Sequence, residues 1–75
     1  MRITYDQSVD AAYIYLVDKI NDGEVAKTLV LDEFFDFKDM VNIDIDNEGR
    51  LLGIEVLGAK AQLPNELLDN AEIIG

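Results

Sequence analysis

Apolar and polar residues alternate along most of this chain with the period of two that is typical of β-strands. Ile3 and Tyr5 flank Thr4 in a first short strand, and the polar residues 6–10 follow as a connector suited to a turn. Residues 11–17 are apolar on both faces of the strand that they predict. Such a strand is favoured in the middle of a sheet, so this segment is the best candidate for the central strand.

The remaining pattern adds a third strand and one helix. Turn residues at 18–23 precede a strand at 24–31, where apolar residues again alternate. The phenylalanine-rich segment 32–39 is less regular, and we predict a loop or a single helical turn there. Near the C-terminus, a proline is followed by apolar residues at helical spacing. This spacing favours a short helix over residues 63–74, packed on the sheet.

Residues 40–57 support two incompatible interpretations. As alternating residues around a turn they form a β-hairpin, and as acids at fixed offsets they form an EF-hand calcium loop. Counted from Asp44, acids occupy positions 1, 3, 5 and 12 of the loop pattern, and a glycine occupies position 6. The candidate cation ligands are Asp44, Asp46, Glu48 and Glu55.

Strand periodicity favours the hairpin. An EF-hand needs helices on both sides of its loop, whereas Val41, Ile43 and Ile45 alternate with polar residues through the first ligand positions. A turn with an even number of residues, 48–49 or 47–50, places these aliphatic residues on one face with Leu52, Ile54 and Val56. A three-residue loop with a glycine bulge would instead set the polar residues Asn42, Asp44 and Asp46 beside Leu52, Ile54 and Val56. We therefore predict the hairpin with an even loop, and the calcium loop is the alternative.

Together these elements predict a single α+β domain over residues 1–75. It consists of a small, mostly antiparallel sheet of about five strands, with a hairpin at 40–57 and one short C-terminal helix. A chain of 75 residues leaves no room for a second module, and its 49% hydrophobic content supports a real core. It has no cysteine and no apolar stretch that approaches the roughly 18 residues of a membrane span. We expect a cytoplasmic protein that does not contact membranes.

Charge narrows the choice of partners. Sixteen acids against six bases give a formal net charge of −10, which repels phosphate backbones. We therefore expect no binding to nucleic acid. The acids are spread along the chain without a long run, which is typical of a solvated surface. If the negative charge has a function, it is to attract a basic protein partner.

Little in the sequence indicates catalysis. The chain has no histidine, which excludes imidazole triads and imidazole metal sites. Asp6 and Asp10 are a possible carboxylate pair, but such a pair needs a cleft that perturbs its pKa values, and turn positions explain both residues better. The glycines Gly49, Gly53 and Gly58 are too dispersed to form a phosphate-binding loop. They suit a turn, a close-packed strand position and a strand end, respectively. We expect no catalytic residue and no cofactor.

Tyr13 and Tyr15 are the candidate interaction residues. They lie on the strand face opposite Ile14 and Leu16, where two aromatic side chains form an amphipathic stripe. The stripe is either covered by the C-terminal helix or left open for a partner, including a second copy of the chain.

Two blocks of the sequence resemble a known family. They are Tyr5-Asp6-x-x-x-Asp10-Ala11-Ala12-Tyr13-Ile14 and Asp46-x-x-Gly49-Arg50-Leu51-Leu52-Gly53-Ile54-Glu55-Val56-Leu57. Together they resemble the small prokaryotic proteins catalogued as domain of unknown function 2283. The resemblance implies a compact, sheet-rich domain with the hairpin, and it carries no established activity or catalytic residues. Such families are similar to the short acidic partners encoded beside small basic toxins, which suggests an antitoxin-like role by analogy.

We therefore predict a non-enzymatic protein-interaction domain. Its partner is either a second copy of the chain, in a homo-oligomer, or a basic protein. Divalent-cation binding through the segment from Asp44 to Glu55 is the alternative function.

Overall fold

A computed structural model of the chain describes residues 1–31 and 40–75, in which six strands form one sheet and two short helices lie near the C-terminus. The predicted loop or helical turn at 32–39 lies outside the described residues. The elements are β1 (Arg2–Asp6), β2 (Ala11–Tyr15), β3 (Lys27–Leu31), β4 (Val41–Ile45), β5 (Leu51–Leu57), α1 (Ala59–Gln62), α2 (Asn65–Asp69) and β6 (Glu72–Ile73).

The predicted fold class, an α+β domain with a mostly antiparallel sheet, is confirmed. The strands lie in the order β3-β4-β5-β2-β1-β6, and every neighbouring pair is antiparallel except β1 and β6. The sheet thus has six strands where about five were expected. β2 and β5 occupy its centre, which confirms the central position predicted for the segment 11–17.

The C-terminal region differs from the single helix predicted over residues 63–74. Leu63 is extended, with φ −106° and ψ 145°, because Pro64 disfavours the helical conformation in the residue before it. Helix α2 therefore lies within the predicted range and α1 ends before it, whereas Glu72–Ile73, predicted as helical, form β6. Beyond the helices the chain is extended: β6 pairs in parallel with β1, and the N–H of Ile74 donates to the carbonyl of Tyr5 at 2.9 Å. Within the described ranges, neither helix is long and apolar enough to cross a membrane.

The core lies between the short helices and one face of the sheet, which we call the helix face. Alternate residues of β1, β2 and β5 point to this face. The buried centre is small, and larger side chains from the helices and β5 surround it. The central residues are Tyr5, Ala12, Val56 and Ala59, and the surrounding ones are Ile54, Leu63, Leu68 and Ala71.

Asp10 ties the turn between β1 and β2 to the start of α1. It adopts a left-handed conformation with φ 53°, which aspartate tolerates better than most residues. Its carbonyl accepts hydrogen bonds from the N–H groups of Gly58 and Ala59, both at 3.0 Å. Its carboxylate accepts from the Tyr5 hydroxyl at 2.7 Å and from the N–H of Lys60 at 3.1 Å. This one residue therefore satisfies four donors that hold the helices against the sheet.

The hairpin predicted at 40–57 is present as β4 and β5, but its turn differs from the prediction. The N–H of Asp46 donates to the carbonyl of Arg50 at 2.9 Å, and Gly49 adopts φ 82°, so the loop comprises residues 47–49. The prediction of a loop with an even number of residues is therefore wrong. A three-residue loop needs a residue in the left-handed conformation, and Gly49 supplies it. A bulge restores the register: Asp44 pairs with Gly53, whereas Ile45 pairs with Leu51. The extra residue in β5 keeps the predicted aliphatic residues on one face.

Two neighbouring leucines at this bulge provide a test of the register: Leu51 pairs with Ile45, and Leu52 is the extra residue. Leu52 is 4% exposed and Leu51 is 50% exposed. We expect Leu52→Ala to lower the free energy of unfolding by about 2–5 kcal/mol, because it leaves a cavity in the core. Leu51→Ala, the matched control, should change it by about 0.5 kcal/mol or less. Urea denaturation of both variants measures the difference, and equal losses would contradict the register.

Candidate functional site

The sheet face opposite the helix face carries the aromatic and acidic side chains singled out in the sequence. Directly paired residues of antiparallel strands share a face, so the strand registers group these side chains. We call this surface the tyrosine face. Its members in β2, β4 and β5 are Tyr13, Tyr15, Asn42, Asp44, Gly53 and Glu55, and Arg2, Thr4, Thr28 and Val30 flank them.

Tyr13 crosses one strand of the sheet to reach a carboxylate on the next. Its hydroxyl, projecting from β2, donates to Oδ2 of Asp44 on β4 at 2.6 Å. The ring passes over Gly53 of β5, where an added Cβ would come within 2.6 Å of Cζ of Tyr13. A glycine at this strand position therefore makes room for the aromatic ring, which confirms the close-packed position expected for Gly53.

The Asp44 carboxylate accepts hydrogen bonds but has no cationic partner within the described part of the chain. Besides the Tyr13 hydroxyl, its carboxylate accepts a bond from Oγ1 of Thr28 at 2.6 Å. Hydroxyl donors orient a carboxylate and leave its negative charge in place. The ion pairs among the described residues lie elsewhere, and they join Arg2 to Glu72, Arg50 to Asp46 and Arg50 to Glu48.

Tyr15 is held by an aromatic neighbour and a cation. Its ring centroid lies 4.8 Å from that of Tyr13, with the two planes inclined at 57°. The guanidinium carbon of Arg2 lies 4.3 Å from the centroid of the Tyr15 ring, within the range of a cation–π interaction. Both tyrosines are half-buried and ordered by contacts on their own face. The C-terminal helices pack on the opposite face and do not cover them.

Glu55 and Asn42 form the second polar pair of the tyrosine face. The side-chain Nδ2 of Asn42 donates to Oε1 of Glu55 at 2.9 Å. The other amide atom, Oδ1 of Asn42, is buried and receives no hydrogen bond from the described residues. A buried acceptor without a donor costs about 1–3 kcal/mol, so this amide oxygen lowers the stability of the fold.

The four candidate cation ligands fall into two groups. Asp44 and Glu55 belong to the tyrosine face, whereas Asp46 and Glu48 belong to the hairpin turn. Asp46 caps that turn by accepting from the N–H groups of Glu48 and Arg50, both at 2.9 Å. The Arg50 guanidinium lies 3.1 Å from Asp46 and 3.1 Å from Glu48. Among residues 1–31 and 40–75, no group of three or more acids is arranged to hold a metal ion.

Asp6 and Asp10, the possible carboxylate pair, both hold the turn between β1 and β2. The carboxylate of Asp6 accepts from the N–H of Ser8 at 3.0 Å and from its hydroxyl at 2.5 Å. A groove of about 440 Å³ lies nearby, but neither acid lines it. Its lining consists of Tyr5, Gln7, Lys60, Asn65, Leu68, Asp69 and Ile73.

Hydrogen bonds and burial shift three pKa values. Burial, reinforced by the bond to Asp44, raises the pKa of Tyr13 well above its usual value. The hydrogen bond to Asp10, reinforced by burial, raises the pKa of Tyr5 to about 12. At the hairpin turn, the backbone N–H of Arg50 is the main cause that lowers the pKa of Asp46. The two tyrosines thus stay protonated and act as donors, and Asp46 stays ionised and acts as an acceptor.

Comparison with known proteins identifies a family. Residues 2–60 match the family model described as Protein of unknown function (DUF2283), which confirms the resemblance found in the two sequence blocks. The matched range contains β1 to β5, and therefore the whole tyrosine face. No curated protein and no solved structure matches the chain significantly.

Substitution of Gly53 tests the crossing of β5 by Tyr13. We expect Gly53→Ala to lower the free energy of unfolding by about 1–3 kcal/mol, because the ring must move and lose its bond to a charged acceptor. In a Tyr13→Ala background the same substitution should be neutral or stabilising, since alanine costs less entropy than glycine in a strand. A double-mutant cycle measured by urea denaturation gives the coupling. Identical effects in the two backgrounds would rule out the crossing.

The raised pKa values of Tyr5 and Tyr13 predict a loss of stability at alkaline pH. The folded protein holds these protons more tightly than the unfolded chain, whose tyrosines titrate near about 10. The free energy of unfolding should not depend on these tyrosines below pH about 10, and it should fall as the pH rises through 10 towards 12. Denaturation across a pH series, with tyrosinate absorbance recorded in parallel, measures this fall. The double variant Tyr5→Phe, Tyr13→Phe should lose less stability over the same range, and an equal loss would contradict the assignment.

Proposed function

We propose that this chain, which belongs to the DUF2283 family, is a non-enzymatic protein-interaction domain whose tyrosine face binds a basic protein. The observation that carries this proposal is a surface on which two ordered tyrosines flank two acids, Asp44 and Glu55, without a cationic partner in the described part of the chain. The domain acts in the cytoplasm, and by analogy its partner is encoded beside it, as basic toxins are beside their acidic antitoxins.

The aromatic residues supply the contact area of such an interface. Tyrosine is enriched at the energetically important positions of protein interfaces because its ring is large and rigid and its hydroxyl forms hydrogen bonds. Tyr13 is fixed by Gly53 and Asp44, and Tyr15 is fixed by Arg2. Because both rings are ordered before binding, association loses less side-chain entropy than it would with mobile rings.

The acids supply attraction and orientation. A net charge of −10 accelerates the approach of a cationic partner and repels anionic ones. At the surface, a lysine or arginine of the partner can donate to Asp44 or Glu55, and arginine can also stack on Tyr15 as Arg2 does. The face therefore suits basic side chains better than apolar ones.

Charge-matched double variants test this proposal. Asp44→Asn with Glu55→Gln removes two negative charges from the tyrosine face, while Glu66→Gln with Asp69→Asn removes two from the exposed side of α2. Affinity capture from native lysate, with intact-mass analysis, should show a basic protein retained by the wild type and by the α2 variant. The face variant should bind it about ten-fold more weakly or worse, a loss of about 1.4 kcal/mol or more.

Two outcomes would overturn the proposal. One is that the wild type retains no basic protein, including the product of the adjacent gene when the two are co-expressed. The other is that both double variants bind the retained protein equally well, which would place the contact elsewhere. Circular dichroism of each variant verifies that the sheet is intact.

A further inference from the structure

Among residues 1–31 and 40–75, strand β3 is one edge of the sheet. It pairs with β4 along all five residues, from Lys27 opposite Ile45 to Leu31 opposite Val41. No strand in the described part of the chain pairs with its other side. Every second N–H and C=O group of an edge strand points outward, and such a row is a template for another strand.

The β3 edge carries little of the protection that is usual for an exposed strand. Natural edges carry charges, prolines or bulges, but β3 contains one charge, Lys27, and its pairing with β4 is regular throughout. Four of its five residues are exposed, including Leu29 at 37% and Val30 at 49%. An apolar, regular and solvent-exposed edge of this kind is suited to pairing with a further strand.

We propose that β3 pairs antiparallel with β3 of a second copy of this chain, which joins two six-stranded sheets into one. This inference goes beyond the proposed function, because it uses the sheet edge and leaves the tyrosine face free. Leu29 lies on the two-fold axis opposite Leu29 of the second copy. Thr28 then faces Val30 of the second copy, and Lys27 faces Leu31 of the second copy.

The acid-free composition of the edge and its length both favour a second copy as the occupant. The chain carries a net charge of −10, whereas the only charged residue between Val25 and Leu31 is Lys27. Two copies therefore meet where each is free of acids, so the repulsion between two chains of net charge −10 is weakened at this contact, and a basic partner finds no acid to pair with there. The opposite edge, β6, is only two residues long, so a head-to-tail contact would form a much shorter ladder. The symmetric β3 pair is longer and closes the assembly.

The joined sheet would also combine the two tyrosine faces. Directly opposed residues of antiparallel strands share a face, and Thr28 and Val30 both belong to the tyrosine face. The two copies therefore present their tyrosine faces on the same side of the sheet. Asp44 of one copy lies three strand spacings across and two residues along from Asp44 of the second copy, about 16 Å at the usual strand dimensions.

Single cysteine variants test the pairing in a chain that has no cysteine of its own. Under mild oxidation, Leu29→Cys should form a disulfide-linked dimer, because directly opposed Cβ atoms lie within disulfide reach. A mixture of Thr28→Cys and Val30→Cys should cross-link with each other in preference to themselves. Val9→Cys is the control, since Val9 is 65% exposed and lies in the turn between β1 and β2.

Light scattering after size exclusion should give twice the chain mass for the wild type and for Val9→Lys. Val30→Lys, placed at an exposed position, should raise the dissociation constant at least ten-fold by putting a charge on the paired edge. A wild-type protein with the single-chain mass at every soluble concentration would overturn the proposal. The proposal would also be overturned if the protein is a dimer but neither Leu29→Cys nor the mixture of Thr28→Cys and Val30→Cys forms cross-links faster than Val9→Cys.

Discussion

The pairing of β2 with β5 is the constraint on which both faces of this protein depend. Ala12 opposes Val56 on one side of the sheet, and Tyr13 opposes Glu55 on the other. A shift of one residue would turn the aliphatic residues towards solvent and the tyrosines into the core. The small residues Ala12 and Ala59 then let the helices approach closely, so the buried centre is made from few side chains. Because a small core gives a small margin of stability, the fold depends on keeping this register.

On the tyrosine face, the hydrogen bonds that stabilise the fold also orient the side chains of the proposed binding surface. Asp44 accepts two hydroxyl donors, which fix its orientation without removing its charge. Gly53 contributes by having no side chain, and the ring of Tyr13 occupies the space. A surface that is ordered, aromatic and charged would lose little side-chain entropy on binding the proposed cationic partner. The polar groups of this face therefore connect the fold to its proposed function.

The hairpin shows how sequence patterns succeed and fail. Alternation of Val41, Ile43 and Ile45 correctly predicted β4 and the face to which it points. Parity reasoning then required an even loop, yet the chain has a three-residue loop and a bulge that corrects the register. A bulge costs little where the neighbouring side chain, here Leu52, gains full burial. Hydrophobic burial determined the faces, and the turn adapted to it.

The sequence by itself determined the strands β1 to β5, the mostly antiparallel α+β class, the family and the acidic character, because alternation, turn residues and charge are local properties. It also marked Gly53 as close-packed and Tyr13 and Tyr15 as a stripe. Only the tertiary structure decided that Tyr13 spans β5 to reach Asp44, that Asp10 anchors α1, and that β3 is an edge. Each of these depends on which strands become neighbours, and strand order is set by long-range packing that no local pattern records.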